Sequence, residues 1–228
     1  MKQSYIIHEH HPRLLLFFAG WGADETPFKM YRPAASDFMV CYDYRTLDLT
    51  PPDWKNTAKS TSSAVYGGMG GFADHATALI ARYVRRRYPY GKQHRHQRNT
   101  LPHRPAYGYS TRHLPRDIGR TDRGFTAQFL RRMCANGAAF KAFLEITPRR
   151  PLEELRDELT EIEKMYHTLP AATFHWQQAV TGGNDRIIPP ANQLQAWETL
   201  GTPVLQTEDA HYQEELFRHY LQDLWTSH

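Results

Sequence analysis

Cysteine is nearly missing from this chain: two in 228 residues leave no disulfide framework. Cys41 falls inside an apolar run and Cys134 on an expected helix, with no metal-ligand spacing between them. Both read as reduced core thiols. No run approaches the roughly 20 apolar residues of a membrane span, and residues 1–12 are too polar and histidine-rich for a secretory leader. A cytoplasmic protein without a membrane partner is therefore expected. The third scarcity is local. From Arg85 to Asp117 the only aliphatic side chains are Leu101, Ala106 and Leu114, and neither helical nor alternating periodicity appears. Such a stretch cannot bury enough apolar surface to offset the entropy of ordering it, so about 59–120 is expected to be irregular.

Charge singles out the same region. The formal net charge is +4 and the sequence pI about 9.0. Between Arg82 and Arg123 stand eleven arginines and Lys92 against Asp117 and Asp122, a local +10, so the remainder carries −6. Two readings of this basic segment are open. It could be a nucleic-acid-binding arm, with Tyr83, Tyr88, Tyr90, Tyr107 and Tyr109 stacking on bases. Against that, it occupies the place of a buried strand, where an arm would not be inserted.

Either side of it the pattern is regular. Leu14 to Phe18 and Asp37 to Tyr42 are short apolar runs, as strands covered on both faces should be. Phe174 to Trp176 with Ala179-Val180, and Pro203 to Leu205, are weaker strand candidates. Pro151 opens a helix with Glu153 and Glu154 in its first turn, and Leu152, Leu155, Leu159, Ile162 and Met165 mark one buried face. A last helix is expected over about 214–226. Strands alternating with helices imply a doubly wound parallel sheet in a single α/β domain, with a small helical cap over about 121–170.

Ligand chemistry in such sheets gathers at the carboxyl ends of the strands. Three motifs fall there: Ala19-Gly20-Trp21-Gly22, Gly182-Gly183-Asn184-Asp185 and Asp209-Ala210-His211-Tyr212. An α/β-hydrolase presents its oxyanion loop, acid and histidine in this order. The glycines let main-chain amides approach an oxyanion, with the Trp21 N–H as donor. Asp185 could orient a histidine, or, read alone, cap the turn that follows it. His211 is the candidate general base. No metal or cofactor is called for. The serine expected in a Gly-x-Ser-x-Gly turn is missing, and Tyr66-Gly67-Gly68-Met69-Gly70-Gly71 stands in its place.

Leu16-Phe17-Phe18-Ala19-Gly20-Trp21-Gly22 with Pro27-Phe28, Asp43-Tyr44-Arg45-Thr46-Leu47, Arg131-Arg132-Met133-Cys134, Asp185 to Gln193 with Trp197, and Ala210-His211-Tyr212 together resemble the BioG family of esterases. The resemblance covers roughly 13–57 and 121–226. It implies an α/β-hydrolase that frees the ω-carboxyl of pimeloyl-acyl carrier protein by hydrolysing its methyl ester, ending the acyl-chain stage of biotin synthesis. It makes Asp185 and His211 acid and base, and the amides of Trp21 and Met69 the oxyanion donors. Arg131, Arg132, Arg149 and Arg150 could meet the acidic acyl carrier protein or be solvated charge on a helix face, and Phe125, Phe129, Met133, Phe140 and Phe143 are acyl lining or plain packing; a monomer is expected.

The family's nucleophile motif is similar to Trp-Ser-Met-Gly-Val-Trp-Ala. Laid on Gly67 to Ala73, it puts Gly68 where serine belongs. Ser60, Ser62 and Ser63 lie nearby but outside the elbow. Residues 65–73 can be back-translated so that a slide of one base reads Ser-Met-Gly-Val-Trp-Ala-Ala-Leu, and 94–100 and 109–120 behave alike. Translation out of frame between about 59 and 120 would explain the arginines, the missing aliphatics and the missing serine together. On this reading the chain is inactive. A noncatalytic binder on a hydrolase fold is the remaining alternative.

Overall fold

In the computed structural model the described residues are 1–48, 50, 63–68, 95–97, 123–168 and 178–225. Among these residues seven strands make one sheet: β1 (Lys2–Ile7), β2 (Arg13–Phe18), β3 (Ser36–Tyr42), β4 (Ser63–Gly68), β5 (Arg95–Gln97), β6 (Gln178–Gly182) and β7 (Val204–Thr207). Their order is β1-β3-β2-β4-β5-β6-β7. Only β1 is antiparallel to its neighbour, pairing Lys2 with Tyr42; the other ladders are parallel.

The near-continuous apolar text of β2 follows from cover on both faces. Leu14, Leu16 and Phe18 join Met39, Cys41, Ile162 and Trp197 in one cluster. Leu15 and Phe17 join Phe28, Phe38, Val40, Phe217 and Trp225 in the other. Helix α1 spans Arg123–Met133, α2 Gly137–Glu145, α3 Leu152–Thr168, α4 Pro190–Thr199 and α5 Glu214–Arg218, the last running on into a π turn over His219–Asp223. Asn136 caps α2 by accepting the Ala139 N–H at 3.0 Å.

The expected strands and helices are found, with shifted ends: β6 begins at Gln178, and residues 174–176 lie outside the described set. Strand β1 has no counterpart in the sequence reading. Its Tyr5-Ile6-Ile7 is too short a signal alone and becomes a strand by pairing with the edge of β3. Within the span 59–120, read as irregular, the structure places two strands. β4 completes the second edge of β2, Arg13 opposite Ser63 through Phe18 opposite Gly68. β5, only Arg95-His96-Gln97, bridges β4 and β6. Both cysteines are free and buried, and burial pushes each thiol up. Among the described residues no helix is long and apolar enough to cross a membrane.

Candidate active site

Because β2, β4 and β6 run parallel, Phe18, Gly68 and Gly182 end at the same edge of the sheet. Past β6, the acid loop is joined to the histidine loop backbone to backbone. Gly183 N–H donates to Thr207 O at 2.7 Å and Asn184 N–H to Asp209 O at 2.9 Å. This closeness needs glycine. A Cβ on Gly182 would sit 2.5 Å from the carbonyl oxygens of both Asp209 and Ala210.

The joined loops bring His211 Nδ1 to 2.8 Å from Asp185 Oδ2, with Asp185 only 6% and His211 8% exposed. Read alone, Asp185 was either a histidine partner or a turn cap, and its two oxygens do both. Oδ1 accepts the N–H groups of Ile187 (2.8 Å) and Ile188 (3.0 Å). Oδ2 takes His211 and the side-chain amide of Gln193 at 2.8 Å. Gln193, fully buried on α4, enters the sequence reading only as part of a motif; its contact explains why an amide stands in an otherwise apolar stripe.

Burial alone would raise the Asp185 carboxyl. The charge and hydrogen bond of His211, with the Ile188 and Ile187 amides, instead hold it at about 2. A depressed folded value stabilises the protein above the ordinary carboxylate range, and that stabilisation disappears as pH falls from about 4 to 2. It amounts to about 2 kcal/mol. Urea unfolding at stepped pH should therefore show an acid-side stability loss that Asp185→Asn largely removes. Identical acid limbs in the two proteins would contradict this.

The loop after β2, Ala19 to Gly22, is anchored from outside the sheet. Tyr44 O–H donates to Ala19 O at 2.6 Å, and the Trp21 indole N–H to Leu155 O at 3.0 Å. The Gly22 N–H reaches Glu158 Oε2 at 3.4 Å, while Tyr44 N–H donates to Glu158 Oε1 at 2.8 Å. Gly22 takes φ of +75°, a left-handed conformation that suits glycine. The Trp21 main-chain amide has no hydrogen-bond partner among the described residues.

Sequence reading missed Glu158. It is fully buried on α3 and bound to Arg150 Nη1 at 2.6 Å. A signal was present: Glu158 lies three residues after Leu155 and four before Ile162, inside the apolar stripe.

Arg150 corrects the proposed carrier-protein surface. Its side chain is 4% exposed and paired with Asp43, Glu154 and Glu158, so it cannot meet a partner. Arg131, Arg132 and Arg149 are exposed, although Arg132 donates to the Arg186 carbonyl. Met133 and Phe143 are core residues, and Phe129 and Phe140 pack, partly buried, against the same cluster; the Phe125 side chain lies outside the described set. Met69, Ser60 and Ser62 also lie outside it. Ser63 opens β4, five residues upstream of Gly68, which is about 17 Å along an extended strand.

Residues 1–223 match the family described as pimeloyl-ACP methyl esterase BioG. A malonyl-[acyl-carrier protein] O-methyltransferase of Bacteroides fragilis is 37% identical over 207 residues, which are 91% of this chain and 41% of that protein. The chain thus spans less than half the length of that relative. The crystal structure of BioG from Haemophilus influenzae superposes with a TM-score of 0.79 at 24% identity, covering 99% of this chain and all of that one. A lipase-esterase related protein of Clostridium acetobutylicum shares the fold at TM-score 0.56 and 10% identity, covering 98% of this chain and 96% of its own. A mainly parallel sheet carrying Asp185 and His211 on successive loops at its carboxyl edge, with a family match over nearly the whole length, places this chain in the BioG family of α/β-hydrolase esterases.

Proposed function

We propose that this chain derives from a serine carboxylesterase acting on the methyl ester of pimeloyl-acyl carrier protein, and that it no longer turns that ester over. The observation that carries the reading is the 2.8 Å hydrogen bond between His211 Nδ1 and Asp185 Oδ2. It leaves Nε2 as the nitrogen available to a nucleophile, the arrangement acyl transfer needs. The Trp21 and Met69 amides serve as oxyanion donors. Arg131, Arg132 and Arg149 supply the positive rim that speeds encounter with an acidic carrier protein. The protein acts in the cytoplasm as a monomeric single domain, the helices of about 121–170 forming its cap.

At the nucleophile position stands Gly68, last residue of β4. Frame-shifted translation between about 59 and 120 accounts for the loss of the motif as a whole, since the slid frame reads its serine across the codons of Val65 and Tyr66, ahead of Gly68. A supporting observation is β5, where a central parallel strand reads Arg95-His96-Gln97 although such strands are covered on both faces and ordinarily aliphatic. The nucleotide sequence across this interval tests the idea directly. It is expected to encode Trp-Ser-Met-Gly in another frame, and codons that yield it in none would end the frameshift account. A fluorophosphonate probe tests the lost nucleophile separately: this chain should remain unlabelled, while a frame-restored chain should label and lose labelling on His211→Ala.

A further inference from the structure

We propose that His8, His10 and the buried carboxylate of Asp37 form a binding site for a divalent transition-metal ion of the zinc class. The site lies in the turn between β1 and β2, at the amino end of β2 and therefore at the sheet edge opposite the one carrying Asp185 and His211. One ligand atom of each of the three residues lies within 4.8 Å of the others. A tetrahedral Zn²⁺ with ordinary bond lengths sets its ligand atoms about 3.4 Å apart, inside the 4.8 Å span of these three groups.

The second observation is the state of Asp37. This residue is fully buried, and its two oxygens are treated very differently. Oδ1 accepts the main-chain N–H groups of Glu9 (2.9 Å) and His11 (3.2 Å) and lies 3.0 Å from the His11 ring nitrogen. Oδ2, equally out of water, has no hydrogen-bond partner among the described residues. A buried carboxylate oxygen without a donor is costly, and a cation is the natural complement to it. Anchoring of Oδ1 by the turn's own amides also sets the carboxylate's orientation, as outer hydrogen bonds do for metal-ligating groups.

The turn itself is built to hold the rings together. His10 adopts φ of +61°, a left-handed conformation few side chains take. The His8 ring stacks on Tyr5 at 4.0 Å between centroids and lies 4.8 Å from the His10 ring. Two imidazoles and one carboxylate suit zinc, cobalt or nickel rather than calcium or magnesium, and three protein ligands leave a fourth position for water.

Tag-free full-length protein titrated with Co²⁺ tests this. One equivalent is expected to bind, with the intense visible absorption of tetrahedral cobalt, and Zn²⁺ should displace it. His8→Ala and His10→Ala, both at exposed positions, should each weaken binding by more than the roughly ten- to hundredfold that losing an outer-shell partner costs. His219→Ala should leave it unchanged. Asp37→Asn should also weaken binding, but because this residue is buried the two histidine variants decide alone if that protein does not fold. Unchanged cobalt affinity and spectrum in both histidine variants would overturn the assignment, as would binding that saturates only at several equivalents without the tetrahedral spectrum.

Discussion

Purified protein given a short p-nitrophenyl ester is expected to hydrolyse it about a millionfold more slowly than a working esterase of this fold. In the reaction proposed above for an intact chain, a serine Oγ attacks the carbonyl carbon while His211 accepts its proton. Asp185 holds the imidazole, and two main-chain amides bind the tetrahedral oxyanion. His211 then protonates the departing alkoxide, and water cleaves the acyl-serine. Each oxyanion donor is worth about 3 kcal/mol of barrier. With Gly68 at the nucleophile position, as proposed, the 2.8 Å His211–Asp185 pair has no attacking oxygen to act on. Losing the nucleophile of a triad costs about as much as losing the whole triad, roughly a factor of a million in kcat, because its members act as a unit. Ser63 offers no rescue, since it opens β4 while Gly68 closes it. Ser63→Ala should therefore change nothing. Turnover at the rate of a competent esterase, abolished by that substitution, would refute both the inactivity and the assignment of Gly68.

Arg150→Ala is expected to destabilise the protein by about 3–5 kcal/mol, the usual consequence of leaving a buried partner's charge uncompensated. Three carboxylates surround this guanidinium. Asp43 Oδ1 lies 3.1 Å from Nη2, Glu158 Oε2 2.6 Å from Nη1, and Glu154 Oε2 3.4 Å from Nε. Asp43 takes φ of +61° and is 3% exposed, while Glu158 is fully buried. Burial pushes the Glu158 carboxyl up, and Arg150 with the Tyr44 and Gly22 amides works against that rise. Removing the guanidinium removes the largest opposing charge. Glu158→Gln should be milder, since an amide oxygen still accepts the Tyr44 N–H. Replacing the two residues together by apolar side chains of similar volume should cost less than Arg150→Ala alone, because no charge is then left unpaired. Urea midpoints for the four proteins check this order. An Arg150→Ala protein within about 1 kcal/mol of the parent would mean that the cluster is effectively solvated.

Local pattern was enough for much of the chain. Leu14 to Phe18 could be read as a doubly covered strand because burial on both faces selects apolar residues at every position, a constraint written residue by residue. The stripe of α3 was readable for the same reason. Position within the family's motifs identified Asp185 and His211, yet not how a single carboxylate could cap a turn and hold a histidine together. The separate fates of its oxygens depend on Gly182 allowing two distant loops to touch.

Arg150 marks the limit most clearly. A run of arginines reads as solvent-exposed charge, and Arg149 is indeed exposed while its neighbour is enclosed. Local text separates them poorly, because each has a glutamate four residues on, Glu153 and Glu154, and the enclosing Asp43 lies more than a hundred positions away. Asp37 belongs to the same class: its uneven surroundings arise only when the turn after β1 folds over the start of β3. By itself the sequence determined β2, β3, the stripe of α3 and the family, since these are carried by residue type and short spacing. The tertiary structure alone decided which charges are enclosed and which oxygens lack donors, since burial and pairing are properties of chain segments that meet only after folding.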